Sequence, residues 1–193
     1  MINIAALVSG RGSNLQAIID ACRTGEIDGR IVVVISSRPG TPALDRARAA
    51  GIEAICLSKE HEILATLDYR KIDLVILAGY MKLISPAFVS RYRHRIMNIH
   101  PALLPAFPGL HAQKQAWEYG AKVSGCTVHF VDEGMDTGPV ILQSPVPVLE
   151  TDTPEALASR ILEEEHKAYP RAIQLFAQGK LKINGRKVIG ADS

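Results

Sequence analysis

Asn98-Ile99-His100-Pro101 places a carboxamide and an imidazole two residues apart. On a strand such residues share a face, so Asn98 and His100 can point together into a cleft while Ile99 packs behind them. An amide N–H donor beside an imidazole suits stabilisation of an oxyanion on a tetrahedral carbon, with the imidazole also moving a proton. A histidine beside a proline is more often a loop residue making one hydrogen bond, so the pattern alone leaves both readings open.

The stretch Asp132-Glu133-Gly134-Met135-Asp136-Thr137-Gly138-Pro139 has the glycines and acids of a tight, exposed loop. Its place between two expected strands would let one carboxylate reach back to the cleft. A carboxylate within ~4–6 Å of an imidazole favours the protonated ring, a useful direction for a general acid at neutral pH.

A third group, Ser9-Gly10-Arg11-Gly12-Ser13-Asn14, follows an apolar run and opens a helical one. Glycines let the main chain approach an anion, and free N–H groups with the helix dipole favour phosphate there. A dinucleotide fits poorly. Leu15 stands where the third glycine of G-x-G-x-x-G belongs, and Ser36-Ser37-Arg38 offers no acid for a ribose hydroxyl. A Walker A loop lacks its Gly-Lys-Ser/Thr. A monophosphate site is the better functional reading, and the competing one is a capping box, which Ser13-Asn14-Leu15-Gln16 also matches.

The remaining polar residues rank lower. His129 sits within an expected strand and reads as structural, His61 and His94 read as solvated, and His111 as a ligand contact or a surface residue. Glu163-Glu164-Glu165-His166 is a polar helix face from which one acid could turn inward. Trp117 reads as a helix packing residue. No H-E-x-x-H or comparable spacing gathers a metal site.

These residues need a scaffold, and the hydrophobic pattern describes one. Apolar strands are expected at Ile2–Val8, Ile31–Ile35, Ala54–Leu57, Ile72–Ala78 and Arg95–Ile99, with helices at Ser13–Ala21, Ala43–Ala50 and Pro86–Tyr92. The alternation implies a parallel sheet with right-handed crossovers. Ligands bind such sheets at the carboxyl ends of the strands, where Asn98 and His100 fall. Beyond a loop stiffened by Pro101, Pro105 and Pro108, a helix is expected at Ala112–Tyr119 and strands at Val123–Val131 and Val140–Val148. Asp152 or Thr153 caps a long helix that runs to about Ala177 and bends at Pro170. Asn184-Gly185 closes a terminal hairpin.

The 193 residues are 47% hydrophobic, with 22 Lys+Arg against 20 Asp+Glu and a net charge of +2. This composition excludes a disordered chain and argues against a dedicated nucleic-acid binder, which carries a clustered basic face. Cys22, Cys56 and Cys126 are dispersed and odd in number, against a disulfide scaffold or zinc ribbon. With no signal-peptide core and no apolar run of ~20 residues, a cytoplasmic protein with no membrane partner is expected. Repeats, low-complexity tracts and linkers are absent, so residues 1–193 are read as a single domain.

Four stretches, in order, carry a resemblance: Ser9–Gln16 (SGRGSNLQ), Leu77–Val89 (LAGYMKLISPAFV), Met97–Gly109 (MNIHPALLPAFPG) and Asp136–Gln143 (DTGPVILQ). The chain resembles the phosphoribosylglycinamide formyltransferases, purine-biosynthesis enzymes that use 10-formyltetrahydrofolate, over almost its whole length. The resemblance implies a Rossmann-like α/β formyltransferase fold, a mostly parallel twisted sheet with helices on both faces and antiparallel additions in the C-terminal half. It places a phosphate-binding half at about 1–100 and a folate-binding, catalytic half at about 77–193. It implies that Gly12, Ser13 and Asn14 hold the substrate phosphate and that Asn98, His100 and Asp136 form the catalytic set. Glu165 and Pro101 would contact the glycinamide ribonucleotide. Met81, Lys82, Leu83 and Ile84 would line the folate pocket, with Asn98 and Asp136 also facing the folate. The implied partners are small molecules, formyl folate as co-substrate and no metal, in a monomer or homodimer.

The chain departs from the family pattern at two alanines. Ala102 stands where the family commonly has Ser and Ala106 where it has Lys, removing a hydroxyl and a charge near the expected cleft mouth. The stretch from Ser58 to Lys71, in which no element is placed, is several residues shorter than usual. Arg70, Lys71 or Lys82 would have to supply the basic group for the folate tail. Two rivals share the strand-His-Pro-loop-Asp arrangement. Methionyl-tRNA formyltransferases carry an added carboxyl-terminal RNA-binding domain, whereas a short tail follows Gly179 here. Formyltetrahydrofolate hydrolases carry an added amino-terminal domain, whereas this chain starts at its first strand. A non-catalytic nucleotide-binding module would explain the Gly12 turn and leave Asn98, His100 and Asp136 without a reason to converge.

Overall fold

The computed structural model describes residues 1–191. Residues 1–98 gather into one compact unit and those from Ile99 onward into a second. The elements of the first are β1 (Ile2–Val8), α1 (Ser13–Thr24), β2 (Gly29–Ser36), α2 (Pro42–Ala49), β3 (Glu53–Cys56), α3 (Glu60–Tyr69), β4 (Leu74–Ala78), α4 (Pro86–Arg91) and most of β5 (Ile96–His100). Its strands are ordered β3-β2-β1-β4-β5, and every pairing is parallel. The two central strands explain the unbroken apolar runs. Ile4–Val8 of β1 and all of β4 are buried, as strands covered on both faces must be. Helix α1 presents Leu15, Ile18 and Ile19 as one buried stripe, and α2 buries Ala43, Leu44 and Ala47.

Helix α3 has no counterpart in the sequence reading. Its buried stripe is only Ile63 and Leu67, one turn apart, and Lys59 at its cap makes no side-chain hydrogen bond. Two apolar positions and no cap signal are too few to mark a helix against loop composition.

In the second unit α5 (Ala112–Tyr119) precedes the antiparallel pair β6 (Val123–Phe130) and β7 (Val140–Pro147). Helix α6 (Pro154–Ala177) packs on both strands, and the hairpin β8 (Lys182–Asn184)/β9 (Lys187–Ile189) joins β7 through a parallel pairing of Val140 with Lys187. Thr153 is the residue that caps α6, its hydroxyl accepting from the Ala156 N–H, with Pro154 in the first turn. Asp152 instead accepts from the Leu149 N–H and pairs with Arg160 at 2.5 Å, which holds its carboxyl below the ordinary range. The helix continues through Pro170 to Ala177. Trp117 is not a buried packing residue. It lies 41% exposed and anchors α5 by donating its indole N–H to the Asp152 carbonyl at 2.7 Å. Among the described residues no helix is long and apolar enough to cross a membrane.

Candidate active site

Strand β5 extends one residue further than the hydrophobic pattern indicates, so His100 is its last residue rather than the first of the loop. The ring is buried, and its Nε2 lies 2.8 Å from the Phe107 carbonyl. A carbonyl only accepts, so Nε2 carries a hydrogen. The other nitrogen, Nδ1, faces Asp136 Oδ2 at 3.4 Å. Both ring nitrogens therefore point at acceptors.

Asp136 belongs to the loop between β6 and β7, and that loop is folded by its own side chains. Asp132 Oδ1 accepts from the Gly134 N–H at 3.1 Å and from the Thr137 hydroxyl at 2.6 Å. Gly138 passes so close to β6 that a Cβ would meet the Phe130 carbonyl oxygen at 1.8 Å. The turn leaves Asp136 at φ +54°, a left-handed conformation that Asp tolerates better than most residues. Its Oδ2 also accepts the Gly109 N–H at 2.8 Å. The loop 101–109 thus touches both partners, with the Phe107 carbonyl on His100 and the Gly109 amide on Asp136.

A second imidazole flanks the same carboxylate. His129 Nε2 is 3.8 Å from Asp136 Oδ1, and its Nδ1–H donates to the Phe130 carbonyl at 2.8 Å. Burial pushes His129 below the ordinary histidine range, against the raising effects of the Phe130 hydrogen bond and the Asp136 charge. The sequence reading treats His129 as structural. Its signal was position alone: it is the penultimate residue of the strand that leads into the Asp136 loop.

Of the acids 163–165 on α6, Glu165 turns inward and is 6% exposed. The Cys126 thiol on β6 registers it. Burial, and then the charges of Glu165 and Glu164, push that thiol up to about 12. Pro101 is half-buried directly after His100.

In the first unit the Ser9–Asn14 turn is built by the backbone. Gly12, at φ +74°, is the cap residue of α1, and its carbonyl accepts the Gln16 N–H at 2.9 Å. The capping box does not form, because a glycine occupies the cap and the Gln16 amide donates to Asp20. The cap thus brings no side-chain acceptor to the first N–H groups, and no acid sits in the first turn. Helix α2 fixes the turn from behind. The Ala43 N–H donates to the Gly10 carbonyl and Arg46 Nε to the Arg11 carbonyl. A Cβ on Gly12 would meet Ala43 Cα at 2.9 Å.

The folate-expected stretch hangs on the same turn, since the Met81 N–H donates to the Ser9 hydroxyl at 3.0 Å. The side chains of Met81, Lys82 and Leu83 are exposed and Ile84 is half-buried. Glu60 on α3 accepts from both the Ser85 N–H and its hydroxyl, and Lys82 Nζ donates to the Ser58 carbonyl at 3.0 Å. Of the basic residues considered for the folate tail, Arg70 is engaged by Glu53 at 2.5 Å, while Lys71 is exposed. Asn98 is half-buried on β5, in register with Leu77 of β4.

The family model described as formyl transferase matches residues 2–173. The chain belongs to the formyl transferase family. It is 45% identical over 192 residues to the phosphoribosylglycinamide formyltransferase of Escherichia coli (strain K12), covering 95% of this chain and 91% of that protein. It is 47% identical to the trifunctional purine biosynthetic protein adenosine-3 of Drosophila melanogaster, where the match covers 94% of this chain and 14% of that much longer protein. The solved glycinamide ribonucleotide transformylase 1 of Symbiobacterium toebii superposes with a TM-score of 0.95 at 53% identity, covering 98% of this chain and 93% of that one.

Within this formyl transferase, the two departures from the pattern have different surroundings. Ala106 is exposed. Ala102 is wholly buried, and its carbonyl accepts the Thr127 hydroxyl at 2.7 Å.

Proposed function

We propose that this protein transfers the formyl group of 10-formyltetrahydrofolate to the amine of 5-phosphoribosylglycinamide, yielding formylglycinamide ribonucleotide and tetrahydrofolate in de novo purine biosynthesis. The observation that carries the reading is the buried His100 held between the Phe107 carbonyl and the Asp136 carboxylate. The likeness to transferases of that name supports it.

In this reading the neutral amine attacks the formyl carbon and forms a C–N bond while the carbonyl π pair moves to oxygen. Asn98 and the doubly protonated His100 stabilise that oxygen, and Asp136 orients the ring and offsets its charge. The amine nitrogen gives up its proton, partly through water, and the folate nitrogen receives one as its bond to the formyl carbon breaks. Gly12, Ser13 and Asn14 take the acceptor's phosphate on main-chain N–H groups at the start of α1. Glu165 and Pro101 contact the acceptor, and the main chain of Met81, Lys82, Leu83 and Ile84 contacts the pterin. The reaction calls for no metal. The setting is cytoplasmic, as a monomer or homodimer, with small molecules rather than nucleic acid or membrane as partners.

Incubation with 10-formyltetrahydrofolate, with and without the ribonucleotide, tests the proposal. Folate release that requires the acceptor is expected. Release at the same rate without it would mean a hydrolase, and no release would mean a binding module.

A further inference from the structure

The loop 101–109 supplies an acceptor to His100 and a donor to Asp136, yet Pro101, Pro105 and Pro108 leave it with few N–H groups to hold itself in place. Two side chains from the β6–β7 pair do the holding. Thr127, fully buried, donates its hydroxyl to the Ala102 carbonyl at 2.7 Å and accepts the Leu104 N–H at 3.0 Å. Gln143 lies opposite Thr127 in the strand register. Its amide nitrogen donates to the Leu104 carbonyl at 2.8 Å and to the Thr127 hydroxyl at 3.0 Å. The hydroxyl is thereby saturated, with one hydrogen given and two accepted, and both hydrogens of the Gln143 amide are used.

The fit beside this cluster is close. A Cβ on Gly125 would meet Leu103 Cδ2 at 2.9 Å and the Ser144 carbonyl oxygen at 2.0 Å, so the loop packs directly on the strand backbone. Further along, the Phe107 ring meets Tyr119 edge-on at 5.7 Å. With these two anchorages the chain has little freedom to relocate Phe107 O.

We propose that Thr127 and Gln143 are positioning residues, a clamp on the main chain of Ala102 and Leu104 that sets the geometry of the His100–Asp136 pair. Neither touches the reacting atoms. The catalytic meaning of the clamp rests on the formyl-transfer reading above, while its geometric effect on His100 does not.

The test compares T127V, which keeps the shape and removes the hydroxyl, with T127S, which restores it, and with Q143L. Two readouts are taken on the full chain: kcat and KM with their pH profiles, and the nitrogen and proton NMR signals of the His100 ring in the ligand-free protein. In T127V and Q143L the His100 ring signals shift, kcat falls roughly 10- to 100-fold with KM for the acceptor nearly unchanged, and the pH profile moves. T127S returns all of these towards the parent. Unmoved ring signals and an unmoved pH profile in a folded Q143L would overturn the proposal, even if stability fell. Should T127V not fold, Q143L decides, because its side chain lies at the outer end of the clamp. If the parent protein shows no acceptor-dependent transfer, the functional reading fails, and the NMR comparison still decides the clamp.

Discussion

The turn after β1 and the loop between β6 and β7 are built in opposite ways. The Gly12 turn is made of main chain: a left-handed glycine, carbonyls tied to Ala43 and Arg46, and helix N–H groups without a side-chain cap. The Asp136 loop is made of side chains: Asp132 folds it, and Asp136 is gripped by Gly109 and flanked by His100 and His129. A backbone-built site fails when a Cβ is added. A side-chain-built site fails when one functional group is exchanged, with the fold left standing.

Exchanging a functional group should have the largest effect. Asp136→Asn keeps the size of the side chain and removes the charge opposite His100, so turnover should fall about 10²–10⁴-fold with little change in melting temperature. His100→Ala and Asn98→Ala should each cost roughly 10²–10³ in kcat through loss of an oxyanion donor. Steady-state assays beside thermal melts check all three, and near-parent turnover in any of them would remove that residue from the mechanism.

Gly12→Ala should show the reverse pattern. Its Cβ would run into the Ala43 backbone, an overpacking worth about 1–3 kcal/mol of stability, and the displaced turn should raise KM for the phosphorylated acceptor. A melting temperature equal to the parent's, with KM unchanged, would refute a backbone-built site. Thr153→Ala, remote from both loops, should cost about 1 kcal/mol by urea titration and leave kinetics alone, giving the baseline for a plain helix cap.

The smallest effect concerns pH. Burial lowers the His129 pKa in the fold, so between that value and the unfolded value of about 6.5 the unfolded chain binds more protons. Stability contributed by neutral His129 is fully present above about pH 6.5 and declines as the pH falls towards its folded value. His166, lowered by desolvation, acts in the same direction. His129→Gln should flatten part of this dependence, measured as urea midpoints between pH 5 and 8. A slope identical to the parent's would mean that His129 is not buried neutral.

The same contrast separates what could be read from residue order from what could not. Strands β1 and β4 and helix α1 were legible because burial on both faces writes a continuous apolar run, and burial on one helical face writes a stripe such as Leu15, Ile18 and Ile19. Helix α3 was not, because its stripe is two residues long. Asn98 and His100 could be read as a candidate pair because residues two apart on a strand share a face. The Gly12 turn was visible, but its competitor, the capping box, looked equally good until the cap proved to be a left-handed glycine packed on α2. His129, Thr127, Gln143 and the carbonyl of Phe107 were not visible as site residues. Each acts through a partner at least seven positions away in the chain, and no local pattern marks such a pairing.

Local order therefore determined which groups were available: an amide and an imidazole two apart, acids in a glycine-rich loop, and a glycine turn at a helix start. Tertiary structure decided which of the acids faces His100, that a second imidazole flanks that acid, and that Ala102 is wholly buried. The physical reason is range. Backbone periodicity and capping are set within a few residues, whereas the approach of Asp136 to His100 joins residues far apart in the chain, and only the folded structure brings them within reach.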